Sequence, residues 1–278
     1  MKKIHFTKMA GAGNDFLIID VGAYGRTPLQ LKKLTVAMCD RTNGVGADGV
    51  IVLDKSKKAD FKMRIINSDG SEAEMCGNGA RCLAAYIVRR NKTKKKSFTI
   101  ETLAGIITAE AKNEVARVTL SDPKDFKESV SLDMGKRSLN ASFIDTGVPH
   151  AVIYVKGIKD IDVAAIGSRI RYHDAFKPRG ANANFVEIIN EGLIDCRTYE
   201  RGVEDETKAC GTGSVAAAIV SYLKLNPLLA TKKGAAMKVK TKSGEMLEVT
   251  FDKEKGRLHN VKLKGSAKFI AEGVYYHA

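Results

Sequence analysis

The sequence predicts an α+β fold of two pseudo-symmetric domains, each a mostly antiparallel sheet wrapped around a central helix. Three observations carry this expectation. A short signature, Glu-x-x-x-Cys-Gly-x-Gly, occurs twice, once from Glu72 through Cys76 to Gly79 and again from Glu206 through Cys210 to Gly213. The shift of 134 positions that superposes the two copies also aligns Gly13 with Gly147, Gly46-Ala47 with Gly180-Ala181, Val52 with Val186 and Ala84 with Ala218. A period this long marks a duplicated domain, not a solenoid. Finally, many short strand-like runs surround one long Ala-rich helical stretch in each half, the pattern of α+β domains and not of a βαβ series.

In the first half, Lys3 to Met9 and Phe16 to Asp20 are predicted strands, and Leu29 to Asp40 has apolar residues at helical spacing. Val50 to Leu53 and Phe61 to Asn67 follow as strands, and the helix after Cys76 runs to about Arg90. Phe98 to Glu101, Ile106 to Glu110 and Val115 to Leu120 complete the half as strands. Residues 121–140, rich in Asp, Lys and Ser with Pro123 and Gly135, have the composition of a crossover between halves. The second half repeats the order. Ala151 to Val155 is a strand, Val163 to Tyr172 a helix, Asn184 to Ile189 and Leu193 to Tyr199 are strands, and a helix follows Cys210. Met237 to Lys240, Glu245 to Phe251, Leu258 to Lys264 and Lys268 to Ile270 close it as strands. The expected domains are 1–121 with 267–278, carrying Cys76, and 122–266, carrying Cys210.

Length and composition agree with this plan. A chain of 278 residues suggests two domains, and 44% hydrophobic residues is ordinary for folds that bury cores. No run approaches the roughly 18 apolar residues of a membrane span, and Met-Lys-Lys-Ile-His-Phe-Thr lacks the apolar centre of a signal peptide. Five cysteines, an odd number without disulfide-like spacing, point to free thiols in a reducing cytoplasm. The formal charge of +14 invites a nucleic-acid reading. Its lysine clusters, however, contain no interleaved aromatics that stack bases, and the chain has no Trp. A solvated basic surface is the reading, with neither nucleic acid nor membrane as partner.

Gly44-Val-Gly46-Ala-Asp-Gly49 matches a dinucleotide fingerprint in letters only, because it follows a predicted helix and precedes a strand, the reverse of what that motif requires. Gly211-Thr-Gly213-Ser lacks the Gly-Lys-Ser/Thr ending of a phosphate loop.

A thiol immediately before Gly-x-Gly at a helix start has a specific chemistry. The first helical turn leaves N–H groups without internal partners and carries partial positive charge, so a thiolate there is stabilised and its pKa is expected to fall. The glycines admit a ligand close to the backbone, whose N–H groups then hold a carboxylate. Each half thus offers an acid/base thiol and an anion clamp. A single such cysteine is most simply a buried residue at a tight turn; two in register are what moving a proton between the faces of one carbon requires. A lone Schiff-base lysine escapes detection by pattern, but no local form of a pyridoxal phosphate site stands out.

The chain resembles the diaminopimelate epimerase family. The resemblance rests on Gly11-Ala-Gly-Asn14-Asp15-Phe16, Asn67 through Cys76-Gly77-Asn78-Gly79 to Cys82, Gly147-Val-Pro-His150, Tyr199-Glu200-Arg201-Gly202 and Ala209-Cys210-Gly211-Thr212-Gly-Ser214, and spans nearly the whole chain. It implies cofactor-free interconversion of LL- and meso-diaminopimelate in lysine and peptidoglycan synthesis, two α/β domains closing over the substrate, and a homodimer. It further implies Cys76 and Cys210 as the acid/base pair, substrate contacts at Asn14, Asn67, Gly77, Asn78, Asn182, Glu200, Arg201, Gly211 and Thr212, and a supporting role for His150. Their chemistry suits those parts. Arg201 can hold a carboxylate through two parallel bonds, the asparagines can donate to oxygen or accept from ammonium, and Glu200 can pair with an ammonium.

Two positions depart from the family pattern. Val148 stands where many members have Asn, so one polar contact to the far end of the substrate is missing, and Gly49 stands where some carry Gln. Related pyridoxal-independent racemases, histidine racemase among them, therefore stay open as alternatives. So does a two-lobed amino-acid-binding protein, although a binder has no need of opposed thiols. Cys39, Cys82 and Cys196 are expected to be structural, and no metal spacing joins any of the cysteines to histidines.

Overall fold

The computed structural model describes residues 2–21, 28–135 and 137–277. The chain forms two compact units, Met1–Val118 with Lys264–Ala278, and Thr119–Leu263. Both are α+β, and their elements occur in the same order.

In the first unit β1 (Lys2–Gly11), β2 (Asn14–Asp20), α1 (Pro28–Cys39), β3 (Gly49–Asp54), β4 (Phe61–Asn67), β5 (Glu72–Ala73), α2 (Gly77–Arg89), β6 (Phe98–Thr102), β7 (Gly105–Lys112) and β8 (Val115–Thr119) follow one another. The second contains β9 (Lys124–Asp133), β10 (Ser138–Asp145), β11 (Pro149–Tyr154), α3 (Val163–Arg171), β12 (Asn182–Asn190), β13 (Leu193–Glu200), β14 (Asp205–Thr207), α4 (Gly211–Leu225), β15 (Lys232–Thr241) and β16 (Met246–Glu254). Two long strands, β17 (Arg257–Ser266) and β18 (Lys268–His277), end the chain.

The strand pairing is duplicated as well. β1 pairs antiparallel with β2, β2 parallel with β3, β3 antiparallel with β4, β4 antiparallel with β5 and parallel with β6, and β6 antiparallel with β7. Each of these relations recurs among β10 to β16, with β10 in the place of β1. β18 flanks β1 as β9 flanks β10.

Period-two alternation explains how one sheet serves two helices. Along β2, Leu17 and Ile19 join Val50, Val52 and Ile66 in the cluster packed with Leu31, Leu34 and Met38 of α1. Phe16 points the other way and, with Ile51 and Ile65, closes on Gly79 in the first turn of α2. Because both faces are covered, β2 and β3 are near-continuous apolar runs, Phe-Leu-Ile-Ile and Val-Ile-Val-Leu. α2 is buried from Gly77 to Ile87, so the small Ala84 and Ala85 let it lie close against the strands around it. In the second unit α3 covers one face through Val163 and Ile170 against Phe185 and Tyr199. α4 is buried from Gly213 to Ser221 along Val215, Ala216, Ala217 and Ala218.

Three sequence expectations need correction. Residues 121–140 are not a crossover but most of the β9–β10 hairpin. The outer strand β9 is exposed over most of its length, so it carries the Lys, Asp, Glu and Ser of a guarded edge and only Leu132 is buried. The last strand runs on past Ile270 to His277, because β1 pairs with it along its whole length, from Ala10 with Lys268 to Lys2 with His277. The short strands β5 and β14, immediately upstream of the signature cysteines, escape a periodicity reading because they are only two and three residues long.

Leu83 is fully buried on α2. Leu83→Ala is expected to destabilise the fold by about 2–5 kcal/mol, read as a lowered urea midpoint. A loss below about 1 kcal/mol would show that α2 is not the centre of its unit's core.

Candidate active site

Cys76 and Cys210 occupy the same position, the N-cap of the central helix of each unit. Their backbones are extended, at φ −141°, ψ 118° for Cys76 and φ −112°, ψ 117° for Cys210. Each sulfur accepts from the backbone N–H three residues on, Gly79 and Gly213 respectively, both at 3.4 Å. The carbonyls of Cys76 and Cys210 accept from Ala80 and Ser214, each at 2.8 Å, and so begin their helices. A short strand before, a cysteine cap and Gly-x-Gly after fix each thiol at the mouth of a buried helix.

In the first unit Asn14 lies at the start of β2 and Asn78 in the first turn of α2, and they are directly joined: Asn78 Nδ2 donates to Asn14 Oδ1 at 2.7 Å. Asn14 Nδ2 in turn donates to Asp48 at 2.9 Å, and Arg81 donates to Asn78 Oδ1 at 2.9 Å. Gly77, buried beside Cys76, accepts from Arg81 at 3.4 Å. Asn67 ends β4 opposite Gly49 and bonds Ser71 at 3.0 Å in a local turn, with no direct hydrogen bond to the Asn14–Asn78 pair among those described. At Gly49 itself a Cβ would lie 2.7 Å from the carbonyl oxygen of Ile66, so a side chain here would force the strands to shift.

In the second unit His150, on β11, is fully buried against β12. Asn184 Nδ2 lies 3.1 Å from its Nδ1 and Asn182 Nδ2 lies 3.5 Å from its Nε2. Asn184 is itself held by the carbonyl of Ala151 at 3.0 Å and by the hydroxyl of Thr198 at 3.0 Å. Asn182 Oδ1 accepts the backbone N–H of Arg201 at 2.6 Å, and the Arg201 guanidinium donates to the carbonyl of Arg179 at 3.3 Å. Thr212 lies with its Oγ1 3.5 Å from Cys210 Sγ, and its carbonyl accepts from Thr146 at 3.1 Å, next to Gly211 at the helix start. Glu200 ends β13, and its charge acts on the Cys210 thiol. Val148 sits between Thr146 and His150 in the tight turn where Thr146 N donates to the Val148 carbonyl at 3.1 Å.

The electrostatics correct one expectation. The Cys210 thiol does not have a lowered pKa. Burial pushes it well above the usual thiol value, the Glu200 charge adds to this, and the bonds from Thr212 and the Gly213 N–H only partly offset them. Burial also raises the Glu200 carboxyl. In this state the helix terminus is the smaller effect, and Cys210 is a neutral thiol. His150 is driven down to about 3 by burial, against the opposing influence of Asp145 and Asn184.

Cys39, Cys82 and Cys196 are buried and lie outside the two helix mouths, and burial lifts Cys39 and Cys196 to about 12. Among the described residues no group of three or more His, Cys, Asp and Glu is placed to hold a metal, and no helix is long and apolar enough to cross a membrane. Asp48, Arg81, Asn184 and Thr198 are the site-bordering residues that the sequence alone did not disclose. Asp48 lies inside the false dinucleotide fingerprint. The spacing of Arg81, three residues from Asn78 and four from Gly77, is the signal that places it on their helix face.

Because His150 stays neutral in the folded protein down to about pH 3 and binds a proton near 6.5 when unfolded, the unfolded state holds the extra proton between these values. Stability is therefore lost as pH falls through that window, with a slope from this residue of about 1.4 kcal/mol per pH unit. In His150→Gln the stability–pH curve from urea denaturation is expected to be flatter than wild type by that slope. Parallel curves would refute the buried neutral imidazole.

Comparison with known proteins agrees with the repeated cap geometry. The family model described as diaminopimelate epimerase matches residues 6–125 and 142–270. Similar proteins include the diaminopimelate epimerase of Aquifex aeolicus, 40% identical with 97% of each chain covered, and that of Methanothrix thermoacetophila, 39% identical with 99% of this chain and 96% of the relative covered. Among solved structures, a PhzF-family phenazine biosynthesis protein of Bacillus anthracis matches with TM-score 0.77 at 18% identity over 100% of both chains. A probable proline racemase of Agrobacterium radiobacter matches with TM-score 0.70 at 16% identity over 99% of this chain and 93% of the other. These structural likenesses establish the fold, and the sequence relatives establish the lineage: the chain belongs to the diaminopimelate epimerase family.

Proposed function

We propose that the chain is an isomerase that interconverts LL- and meso-diaminopimelate, with Cys76 and Cys210 as its acid/base pair and no pyridoxal cofactor. The observation that carries this reading is the repeated cap, two thiols each held by a helix N–H at 3.4 Å in the same backbone conformation.

The reaction needs a base on one side of the α carbon and an acid on the other. One cysteine, as thiolate, takes the α-hydrogen as a proton, and the C–H electron pair passes into the carboxylate as enolate character. The other, as neutral thiol, delivers its proton to the opposite face, so thiol and thiolate have exchanged places when the product forms. Cys210 as a neutral thiol suits the donor in one direction. In the reverse direction Cys210, left as thiolate, takes the α-hydrogen and Cys76, now the thiol, delivers its proton to the opposite face. The first-turn N–H groups at Gly77-Asn78 and Gly211-Thr212 are suited to the carboxylate on which charge develops, the logic of electrostatic preorganisation. Arg201, with Asn67 and Asn182, suits a second carboxylate, and His150 supports Asn182 at the strand end. The family implies a place in lysine biosynthesis, and we extend the proposal to a homodimer as its working form.

Cys76→Ser and Cys210→Ser are each expected to lower kcat by about 10²–10⁴-fold with melting temperatures near wild type, and the wild type is expected to turn over diaminopimelate in preference to histidine. Near-normal turnover in either variant would remove the two-thiol mechanism, and a preference for histidine would replace the substrate.

A further inference from the structure

Asn14 and Asn78 are carboxamides, and a carboxamide facing a ligand is ambiguous: rotated by half a turn it exchanges a donor for an acceptor at nearly the same place. In the first unit this ambiguity is removed by what stands at the two ends of their hydrogen-bond chain. At one end is the guanidinium of Arg81, fully buried and able only to donate, which gives an N–H to Asn78 Oδ1 at 2.9 Å. Asn78 Nδ2 then donates to Asn14 Oδ1 at 2.7 Å, and Asn14 Nδ2 donates to Asp48 Oδ2 at 2.9 Å. At the far end the carboxylate of Asp48 can only accept. Turning either amide over would set oxygen against oxygen or N–H against N–H at both of its contacts, so the chain has one polarity.

Asp48 is well placed to end such a chain. Its N–H donates to the carbonyl of Asp15 at 2.9 Å and its carbonyl accepts from Ser68 at 3.1 Å, so its backbone is held from both sides. The oxygen that receives Asn14 also receives the Asp15 N–H at 3.1 Å, while Arg41 donates to the other oxygen at 2.7 Å. Arg41 and Lys8 in turn pair with Asp15 at 2.8 and 3.1 Å. The Arg41 side chain is 59% exposed, so Arg41 is a brace and not the determinant.

We propose that Asp48 and Arg81 are positioning residues that lock the Asn14–Asn78 amides in one orientation, and so fix which donors and acceptors this half of the site offers its substrate. The proposal rests on the reading that Asn14 and Asn78 face the substrate. Each amide has spent one N–H and one oxygen lone pair on the chain and keeps one of each in a fixed place. A substrate group must match that arrangement, which makes two residues that touch no substrate part of its selection.

The test compares wild type and Asp48→Ala by steady-state kinetics with LL-diaminopimelate and by NMR of the side-chain NH₂ groups in protein carrying isotope-labelled asparagine. Solvent exchange of the Asn14 NH₂ is expected to speed by about tenfold or more and KM to rise by about tenfold, the effect of losing one charge-assisted hydrogen bond, with kcat changed less than about threefold. An NH₂ exchange rate unchanged within about twofold, or a KM unchanged while kcat falls, overturns the proposal. A purely structural role would lower the melting temperature and leave both readouts alone. Where alanine compromises folding, Asp48→Ser, which can both donate and accept, is read in its place. If the wild type does not turn over diaminopimelate, the functional reading fails, and the amide signals alone decide whether the relay exists.

Discussion

The structure depends on one constraint: the first turn of a buried helix has backbone N–H groups that no residue of the helix can satisfy. In both units a cysteine sulfur meets that need, taking the third N–H of the turn at 3.4 Å. The same contact starts the helix and fixes the sulfur at the helix mouth. The second glycine of each Gly-x-Gly is closely surrounded. A Cβ on Gly213 would stand 2.5 Å from Asn184 Oδ1 and 3.3 Å from the Cys210 sulfur, and one on Gly79 would press Ile51 at 3.1 Å.

Burial and the helix terminus act against each other on that sulfur. Removing a thiol from water disfavours the thiolate, and a cap N–H favours it. At Cys210 burial wins and the adjacent Glu200 reinforces it. Burial thus holds both the thiol and the adjacent Glu200 carboxyl toward their neutral forms.

Much of this was legible in the sequence because duplication makes a weak signal strong. One Cys-Gly-x-Gly is compatible with an inert turn, but two in step with Gly13/Gly147 and Gly46/Gly180 are not, and these glycines take positive φ values of 94°, 107°, 74° and 63°. The helices that follow are Ala-rich because the strands close in on them. What stayed hidden lacks a local signature. β9 carries the polar residues of an exposed edge and so has the composition of a linker. Arg81 would ordinarily be placed in solvent, and only the coordinates show it fully buried and bonded to Asn78. The level of the Cys210 pKa depends on how deeply the thiol is covered, which neither spacing nor motif conveys.

The central proposal is that Cys76 and Cys210 act as acid and base on a single carbon. Its most direct measurement is the early time course of deuterium incorporation when one diaminopimelate stereoisomer is turned over in deuterated water. Two acid/base groups remove hydrogen from one face and supply solvent-derived deuterium to the other, so label is expected in the epimerised product before it appears in recovered substrate. Deuterium entering substrate and product together from the first turnovers would mean that a single group serves both faces, and would contradict the account.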